Sequence, residues 1–236
     1  REPNDIESYA ALACIAIQSN QNDQHGGQSV PNFDYGMAPG VKKAYKRLYV
    51  TNLGKMLDFL EDVEDGVERM KALEGKIEHE YGVFPCMAWD NNYAELELAE
   101  LKKIVPEAEA MKMQDRSRKF ADKEIRRKTY QAMEAFIHNL NTMHSRAGAQ
   151  VPFSSINYGT DTSPEGRLVM ESVMLATEAG LGNGETPIFP IQIFKVKEGV
   201  NYNPEDPNYD LFKLACKVSA KRLFPNFSFL DAPFNK

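Results

Sequence analysis

The residues able to do chemistry are few and scattered. The histidines are His25, His79, His138 and His144, and none stands at finger-like spacing from a cysteine, so the pattern predicts no metal site. Cys14 lies in an Ala-rich apolar run and Cys216 in a second stretch of the same texture, where a thiol packs as a small hydrophobe. Cys86 follows Pro85 in a stretch without a clear period. A catalytic thiol is the alternative reading for each. Gly180-Leu181-Gly182-Asn183-Gly184 carries spaced glycines, yet it leads into a strand and no Gly-Lys-Ser/Thr follows. It reads as a helix stop and turn, not as a phosphate or dinucleotide loop. His25-Gly26-Gly27-Gln28-Ser29 is polar and enters a strand, so its backbone can approach a ligand closely or simply turn. Lys42, Lys43, Lys46 and Arg47 form one basic cluster, and Arg116, Arg118, Lys119, Arg126, Arg127 and Lys128 another. Solvated helix faces explain both, with attraction of a triphosphate as the functional alternative. Among the carboxylates, Glu165 and Glu171 are candidates by position near a strand end.

These residues need elements to hold them. Asn4, with Glu7 three residues on, reads as a capping box opening a helix. Residues 9–17 are apolar without a break, which predicts a helix buried on every side. That helix should end in the polar run from Gln18 to Gln24. A Gly-Gly turn then enters a short strand. Pro39 and Gly40 precede a long helix over about residues 41–73. Its apolar residues Tyr49, Leu53, Met56, Leu60, Val63, Val67 and Met70 alternate four and three apart, a heptad seam that wants a partner helix. Residues 115–144 supply one, with Tyr130, Met133, Ile137 and Leu140 at the same spacing. Gly54 and Gly66 should weaken the first long helix by roughly 1 kcal/mol each. The acidic stretch 89–110 reads as a shorter helix with loops. Downstream the texture becomes strand at 151–158, helix from Ser163-Pro164 to Ala179 stopped by Gly180, strand at 187–196, helix from Asp206-Pro207 to Phe224-Pro225, and strand at 226–230. That alternation predicts α/β construction on parallel strands.

Composition sets the outer limits. The chain has 236 residues, 42% hydrophobic and 26% charged, which describes a foldable one- or two-domain length rather than a disordered tail. Mean hydropathy is -0.48 and no apolar run approaches a bilayer span, so no membrane partner is expected. A net charge of -6 argues against a nucleic-acid polymer as partner, though not against nucleotides. Three scattered cysteines and the lack of a signal-peptide layout point to a cytoplasmic setting. The chain begins without Met and is expected to be a piece of something longer.

Long runs then resemble one family. Ser8-Tyr9-Ala10-Ala11-Leu12 and Ala16-Ile17-Gln18-Ser19-Asn20-Gln21-Asn22-Asp23-Gln24-His25-Gly26-Gly27-Gln28-Ser29 look like the anaerobic (class III, glycyl-radical) ribonucleoside-triphosphate reductases. So do Met143-His144-Ser145-Arg146-Ala147-Gly148-Ala149-Gln150-Val151-Pro152-Phe153, Gly180-Leu181-Gly182-Asn183-Gly184-Glu185-Thr186-Pro187, and Lys221-Arg222-Leu223-Phe224-Pro225-Asn226. The resemblance spans nearly the whole chain. It implies part of a ten-stranded α/β barrel, with residues 41–144 as a helical dimer and effector region and 145–236 as barrel strands and helices.

The resemblance also implies deoxyribonucleotide synthesis for DNA replication, by reduction of the ribose 2′-carbon of ribonucleoside triphosphates. The parent enzyme would use a glycyl radical, a thiyl cysteine that takes the 3′-hydrogen, a C-terminal four-cysteine zinc site and formate as reductant. Its partners would be a radical S-adenosylmethionine activase, a second copy forming a homodimer, and dNTP or ATP effectors. The thiyl cysteine would follow the position matching Phe234-Asn235, the glycyl and zinc motifs would lie further on, and a second active-site cysteine would lie before Arg1. No catalytic residue is therefore expected in this segment, and Cys14, Cys86 and Cys216 stay structural. The resemblance places His25, Gly26, Gly27, Gln28, Ser29 and Gln150 on the substrate side. It places Asp34, Tyr35 and Gly36 in one effector loop, residues 34–40, and His144, Ser145, Arg146, Ala147 and Gly148 in the loop coupling effector to substrate choice. A non-catalytic nucleotide-binding dimerisation module is the alternative.

Overall fold

The computed structural model describes residues 2–24, 26–61, 64–144 and 150–235. Two compact units emerge, Arg1–Val41 with Lys128–Lys236, and Lys42–Arg127.

The first unit holds a parallel sheet of β1 (Gln28–Val30), β2 (Ser154–Tyr158), β3 (Ile191–Val196) and β4 (Asn226–Phe229), side by side in chain order. The α/β expectation is met in a mixed helix and parallel-sheet architecture. Helix α6 (Pro164–Ala179) joins β2 to β3, α7 (Tyr209–Arg222) joins β3 to β4, and the two helices pack together. Right-handed crossovers between neighbouring parallel strands place both on one face of the sheet. Burial alternates accordingly. Ser154, Ile156 and Tyr158 of β2 and Gln192, Phe194 and Val196 of β3 are buried beneath helices. Ser155, Asn157, Ile191, Ile193 and Lys195 point the other way and are only partly covered.

Local chemistry explains the ends of α6. The Ser163 hydroxyl accepts the Gly166 N–H at 3.1 Å, Pro164 takes the first helical position, and Gly180 ends the helix at φ 86°. Helix α1 (Ile6–Asp23) differs from expectation at its start and ends, as expected, within the polar run. Asp5, not Asn4, caps it, accepting the Ser8 N–H at 2.9 Å. The helix continues through most of the polar run before stopping at Asp23, and within it Gln21 turns inward, its amide donating to the Val151 carbonyl at 3.2 Å. Nor is α1 buried all round: Ile6, Ala10, Cys14 and Ile17 are buried, while Leu12 and Ile15 are 51% and 59% exposed.

Helices make up the second unit. Helix α2 (Phe33–Glu61) and α5 (Glu107–Thr142) each have one end there, and α3 (Gly66–Tyr81) and α4 (Asn91–Leu101) lie within it. The loop expected over residues 34–40 is instead the first turns of α2, with Pro39 inside the helix. The Gly36 N–H bonds the Asn32 carbonyl at 2.9 Å, so the first turn is already closed there. Pro39 forfeits one helical hydrogen bond, and the buried Phe33 ring stacks on Phe136 at 4.9 Å between centroids in compensation.

The single long helix expected over 41–73 is also two helices. Tyr49, Leu53 and Met70 are buried as the seam requires, but α2 ends at Glu61, α3 starts at Gly66, and Leu60 is 43% exposed. Val63 lies outside the described residues. The glycines explain the break. A Cβ on Gly54 would overlap the Val67 backbone, and the Gly66 N–H donates to Asp58 Oδ1 at 2.7 Å. Gly54 therefore lets the start of α3 press against α2. The partner helix is present as α5: Asn52 donates to Ser117 Oγ at 3.3 Å, and Ser117 lies 3.7 Å from Met56 Sδ.

Candidate functional site

The carboxyl ends of parallel strands are where α/β sheets bind ligands, so that edge of the first unit comes first. It is held by polar side chains anchored to backbone. Asp34 is fully buried, and its Oδ2 accepts three consecutive N–H groups, from Gly159 at 2.9 Å and from Thr160 and Asp161 at 3.1 Å. Asn201, also fully buried, donates to the carbonyls of Gly159 at 2.8 Å and Lys195 at 2.9 Å. Asn208 donates to the Gly159 and Asp161 carbonyls at 3.2 and 2.9 Å. Arg167 reaches Asn208 Oδ1 at 2.8 Å and pairs with Asp210 at 2.7 Å, which holds the Asp210 carboxyl below its usual range against the opposing effect of burial. Gly159 has φ 135° and no room for a Cβ against the Lys195 carbonyl, so the β2 turn hugs β3.

The open face of the sheet leads up to this edge. Strand register sets Ser29 beside Ser155 and Ile191, then Asn157 beside Ile193 and Asn226, then Lys195 beside Ser228. Lys195 Nζ donates to Asn32 Oδ1 at 2.6 Å. The Asn157 side-chain oxygen is out of solvent and has no hydrogen-bond partner among the described residues. Asn157, Lys195, Asn226 and Ser228 escaped the sequence reading. The signal was there: polar residues alternate with large apolar ones along each strand, as they do when one face is covered and the other open.

The expected site residues fall in two places. Gly26, Gly27, Gln28 and Ser29 lie at the amino end of the sheet, where the Gln28 N–H bonds the Phe153 carbonyl at 2.9 Å, and Gln150 is exposed ahead of β2. Asp34, Tyr35 and Gly36 lie at the opposite, carboxyl end of β1, and the Tyr35 hydroxyl donates to the Thr160 carbonyl at 3.0 Å. His144 is exposed just past α5. His25 and Ser145, Arg146, Ala147 and Gly148 lie outside the described residues.

The Gly180–Gly184 turn proves to be one wall of a cavity of about 620 Å³, faced by Gln131, Glu134 and His138 of α5. Arg222 clamps that wall, donating to the carbonyls of Glu178, Ala179 and Gly184 at 2.8, 3.1 and 2.9 Å. Glu165 and Glu171 sit six residues apart on α6, about 240° round the helix, so they do not form a catalytic pair.

Most basic-cluster residues already have work within the second unit. Lys46 pairs with Glu74 and Glu78, both at 2.8 Å, and Arg118 stacks 4.8 Å from the Trp89 ring centroid. Arg47 and Lys55 flank a groove of about 200 Å³ beside the half-exposed Phe120 ring. At the core of this unit, the fully buried Glu97 accepts hydrogen bonds from the Tyr49 hydroxyl at 2.5 Å, the Tyr93 hydroxyl at 2.7 Å and the Gln114 amide at 2.9 Å. Burial pushes its carboxyl above the usual range against the pull of those three donors.

The cysteines are free. Burial lifts the Cys14 thiol to about 12, far from the thiolate a nucleophile needs. Cys216 is exposed, with its thiol raised by partial burial. Among the described residues no group of three or more His, Cys, Asp or Glu could hold a metal ion, so these residues do not fit a zinc site. No described helix is long and apolar enough to cross a membrane.

Comparison with known proteins now adds to this geometry. The chain is 36% identical over 108 residues to the anaerobic ribonucleoside-triphosphate reductase of Escherichia coli (strain K12), a match covering 45% of this chain and 15% of that protein. It is 35% identical over 135 residues to the protein of the same name from Enterobacteria phage T4, covering 57% of this chain and 22% of the relative. The chain thus spans only a small part of the length of these relatives. The sequence model of the family described as anaerobic ribonucleoside-triphosphate reductase matches residues 1–236, all of the chain. The chain belongs to the anaerobic ribonucleoside-triphosphate reductase family.

Proposed function

We propose that this chain is the nucleotide-handling α/β segment of an oxidoreductase that converts ribonucleoside triphosphates to deoxyribonucleoside triphosphates without oxygen. The family match over residues 1–236 carries this reading. In it, the parallel sheet forms part of a ten-stranded α/β barrel with the α6 and α7 face outward. The substrate then lies along the open face, whose amino half carries Ser29 and Ser155. The net reaction breaks the ribose C2′–O bond, releases water and places hydrogen on C2′. Formate supplies two electrons and leaves as carbon dioxide. Glycyl and thiyl radical groups supply the hydrogen abstraction that starts the reaction, and they come from parts of the protein outside these residues. The C-terminal zinc site belongs there too.

What these residues contribute is binding and placement. Asp34, Asn201 and Asn208 fix the carboxyl ends of β2 and β3, which keeps the substrate platform from shifting. The α2–α5 pair is the dimerisation and effector element, and the Arg47–Lys55 groove with its aromatic wall suits a nucleotide. The loop His144–Gly148 couples that element to the substrate face. A homodimer, a radical S-adenosylmethionine activase and a cytoplasmic setting complete the reading.

The test is direct. The full-length protein, activated under anaerobic conditions and given CTP and formate, is expected to yield dCTP by chromatography. An activated protein carrying a measurable glycyl radical yet making no deoxynucleotide from any of the four triphosphates would overturn the assignment.

A further inference from the structure

The open face holds one cation that the rest of the described protein leaves without a counter-charge. Lys195 is the fifth residue of β3 and projects from the face opposite α6 and α7. Among the described residues, no carboxylate lies within ion-pairing distance of its ammonium group. Its only hydrogen bond is to a neutral acceptor, Asn32 Oδ1 at 2.6 Å. Asn32 follows β1, and β2 lies between β1 and β3, so the Lys195 side chain crosses the carboxyl end of β2 where the residue is Gly159. A Cβ there would meet the Lys195 backbone, so glycine lets the two strands close up at this rung. The nearby carboxylates of Glu198 and Asp231 belong to the other flank, at the ends of β3 and β4, where Asp231 accepts the Glu198 N–H at 2.8 Å. Asp34, at the Gly159 turn, already accepts backbone N–H groups on both oxygens and makes no ion pair with Lys195.

One rung back along the same face is the second unusual group. The Asn157 side-chain oxygen is shielded from solvent and unpartnered. A buried acceptor without a donor costs stability, about 1–3 kcal/mol, so such a group asks for an explanation. Asn157 and the Gly159–Lys195 rung are two residues apart along β2, about 7 Å at the rise of a parallel strand. The face therefore offers an anion-seeking ammonium and a donor-seeking carbonyl from neighbouring rungs. Ser228 is the register partner of Lys195 on β4, on the side of β3 away from the ammonium.

Resting on the function proposed above, we infer that Lys195 and Asn157 are substrate-positioning residues for a phosphorylated ribose. Lys195 takes a phosphate oxygen, and Asn157 Oδ1 accepts a hydrogen bond from a ribose hydroxyl. This polarity runs the nucleotide along the strands, with its phosphates toward the carboxyl edge. A small carboxylate such as the reductant would satisfy Lys195 but has no hydroxyl to give Asn157, so the pair favours the nucleotide.

The test uses the full-length activated reductase, with wild-type turnover as the prior control on the family reading. Lys195→Met is expected to raise KM for CTP about tenfold or more, the usual worth of a charge-assisted hydrogen bond, with kcat within about threefold. Lys195→Arg is expected to restore most of that loss. Asn32→Asp turns the neutral partner of the intact lysine into a carboxylate and is expected to raise KM for CTP similarly, which keeps the test open if Lys195→Met does not fold. Asn157→Leu, which removes the acceptor, is expected to raise KM for CTP with no change in KM for formate. Three results would overturn the proposal while wild type remains active: KM for CTP unmoved in every soluble variant, KM for formate rising alone, or loss of kcat that Lys195→Arg does not rescue.

Discussion

Among the described residues each unit buries one carboxylate completely, and the two are held by different kinds of donor. Asp34 faces three consecutive backbone N–H groups of the turn after β2. Glu97 faces two tyrosine hydroxyls and an amide, contributed by α2, α4 and α5. Backbone N–H groups can only donate. A tyrosine hydroxyl can rotate and accept. Asp34 therefore meets donors that cannot reverse their role, whereas Glu97 sits in a cluster that could serve a neutral group equally well. The α/β unit uses its carboxylate to fix a loop at the edge of the sheet. The helical unit uses its own to tie three helices.

The sharpest break in that comparison is Asp34→Asn. The amide keeps one oxygen for the N–H groups of Gly159, Thr160 and Asp161 but loses the charge, and its NH₂ then faces the Tyr35 N–H, which now donates to Asp34 Oδ1 at 3.1 Å. The expected loss is about 3 kcal/mol in urea unfolding, given about 1.5–3 kcal/mol for hydrogen bonds to charged groups. Hydrogen exchange at Gly159 to Asp161 should accelerate with it. An unchanged midpoint would mean that the turn holds its shape without the carboxylate.

In the helical unit the equivalent weakness is packing. Gly54→Ala puts a methyl where the Val67 backbone already lies. The start of α3 must move away, at a cost of about 1–3 kcal/mol for overpacking, despite the better helix propensity of Ala. Gly75 is the control. It lies within α3 with open space where its Cβ would be, so Gly75→Ala should stabilise by about 0.5–1 kcal/mol. Equal effects of the two substitutions in chemical denaturation would refute the close approach of α3 to α2.

The same contrast governs what the sequence reveals. Helix α6 is legible to the residue because Ser163, Pro164 and Gly180 act through local hydrogen bonds and backbone preference. The heptad from Tyr49 to Met70 marks Tyr49, Leu53 and Met70 as buried but not the exposure of Leu60, and it hides the turn between α2 and α3, since period alone does not see that Gly54 makes space for Val67. The polar run marks where α1 ends but hides the burial of Gln21, since only the distant Val151 carbonyl makes it an inward-facing helical residue. Asp34 falls in the right neighbourhood as a notable carboxylate, yet its partners lie 125 to 127 residues away in the chain. Lys195 and Asn157 are visible only as alternation until register shows that they share a face with Ser228 and Asn226.

The smallest change in stability at neutral pH is expected at Glu97, and it is the most informative. Glu97→Gln leaves an oxygen to accept from Tyr49 and Gln114, and its NH₂ can donate to a Tyr93 hydroxyl that rotates to accept. At pH 7 the variant should match the wild type within about 0.5 kcal/mol, because loss of the charge–dipole attraction is offset by the easier burial of a neutral group. The pH dependence is where the two should part. Burial, opposed by the three donors and reinforced by Glu74, raises the folded carboxyl above the usual range. The unfolded chain releases its proton first, near the ordinary glutamate value of about 4.3. Between that value and the raised folded one, the folded state binds more protons, so stability from this group falls as pH rises and levels off above the folded value. Glu97→Gln removes that slope. Urea unfolding of both proteins at intervals from pH 4 to pH 8 should show curves that converge at neutral pH and separate toward acid, with the wild type gaining relative to the variant. Parallel curves would show that Glu97 titrates alike folded and unfolded, and that its three donors fully replace water.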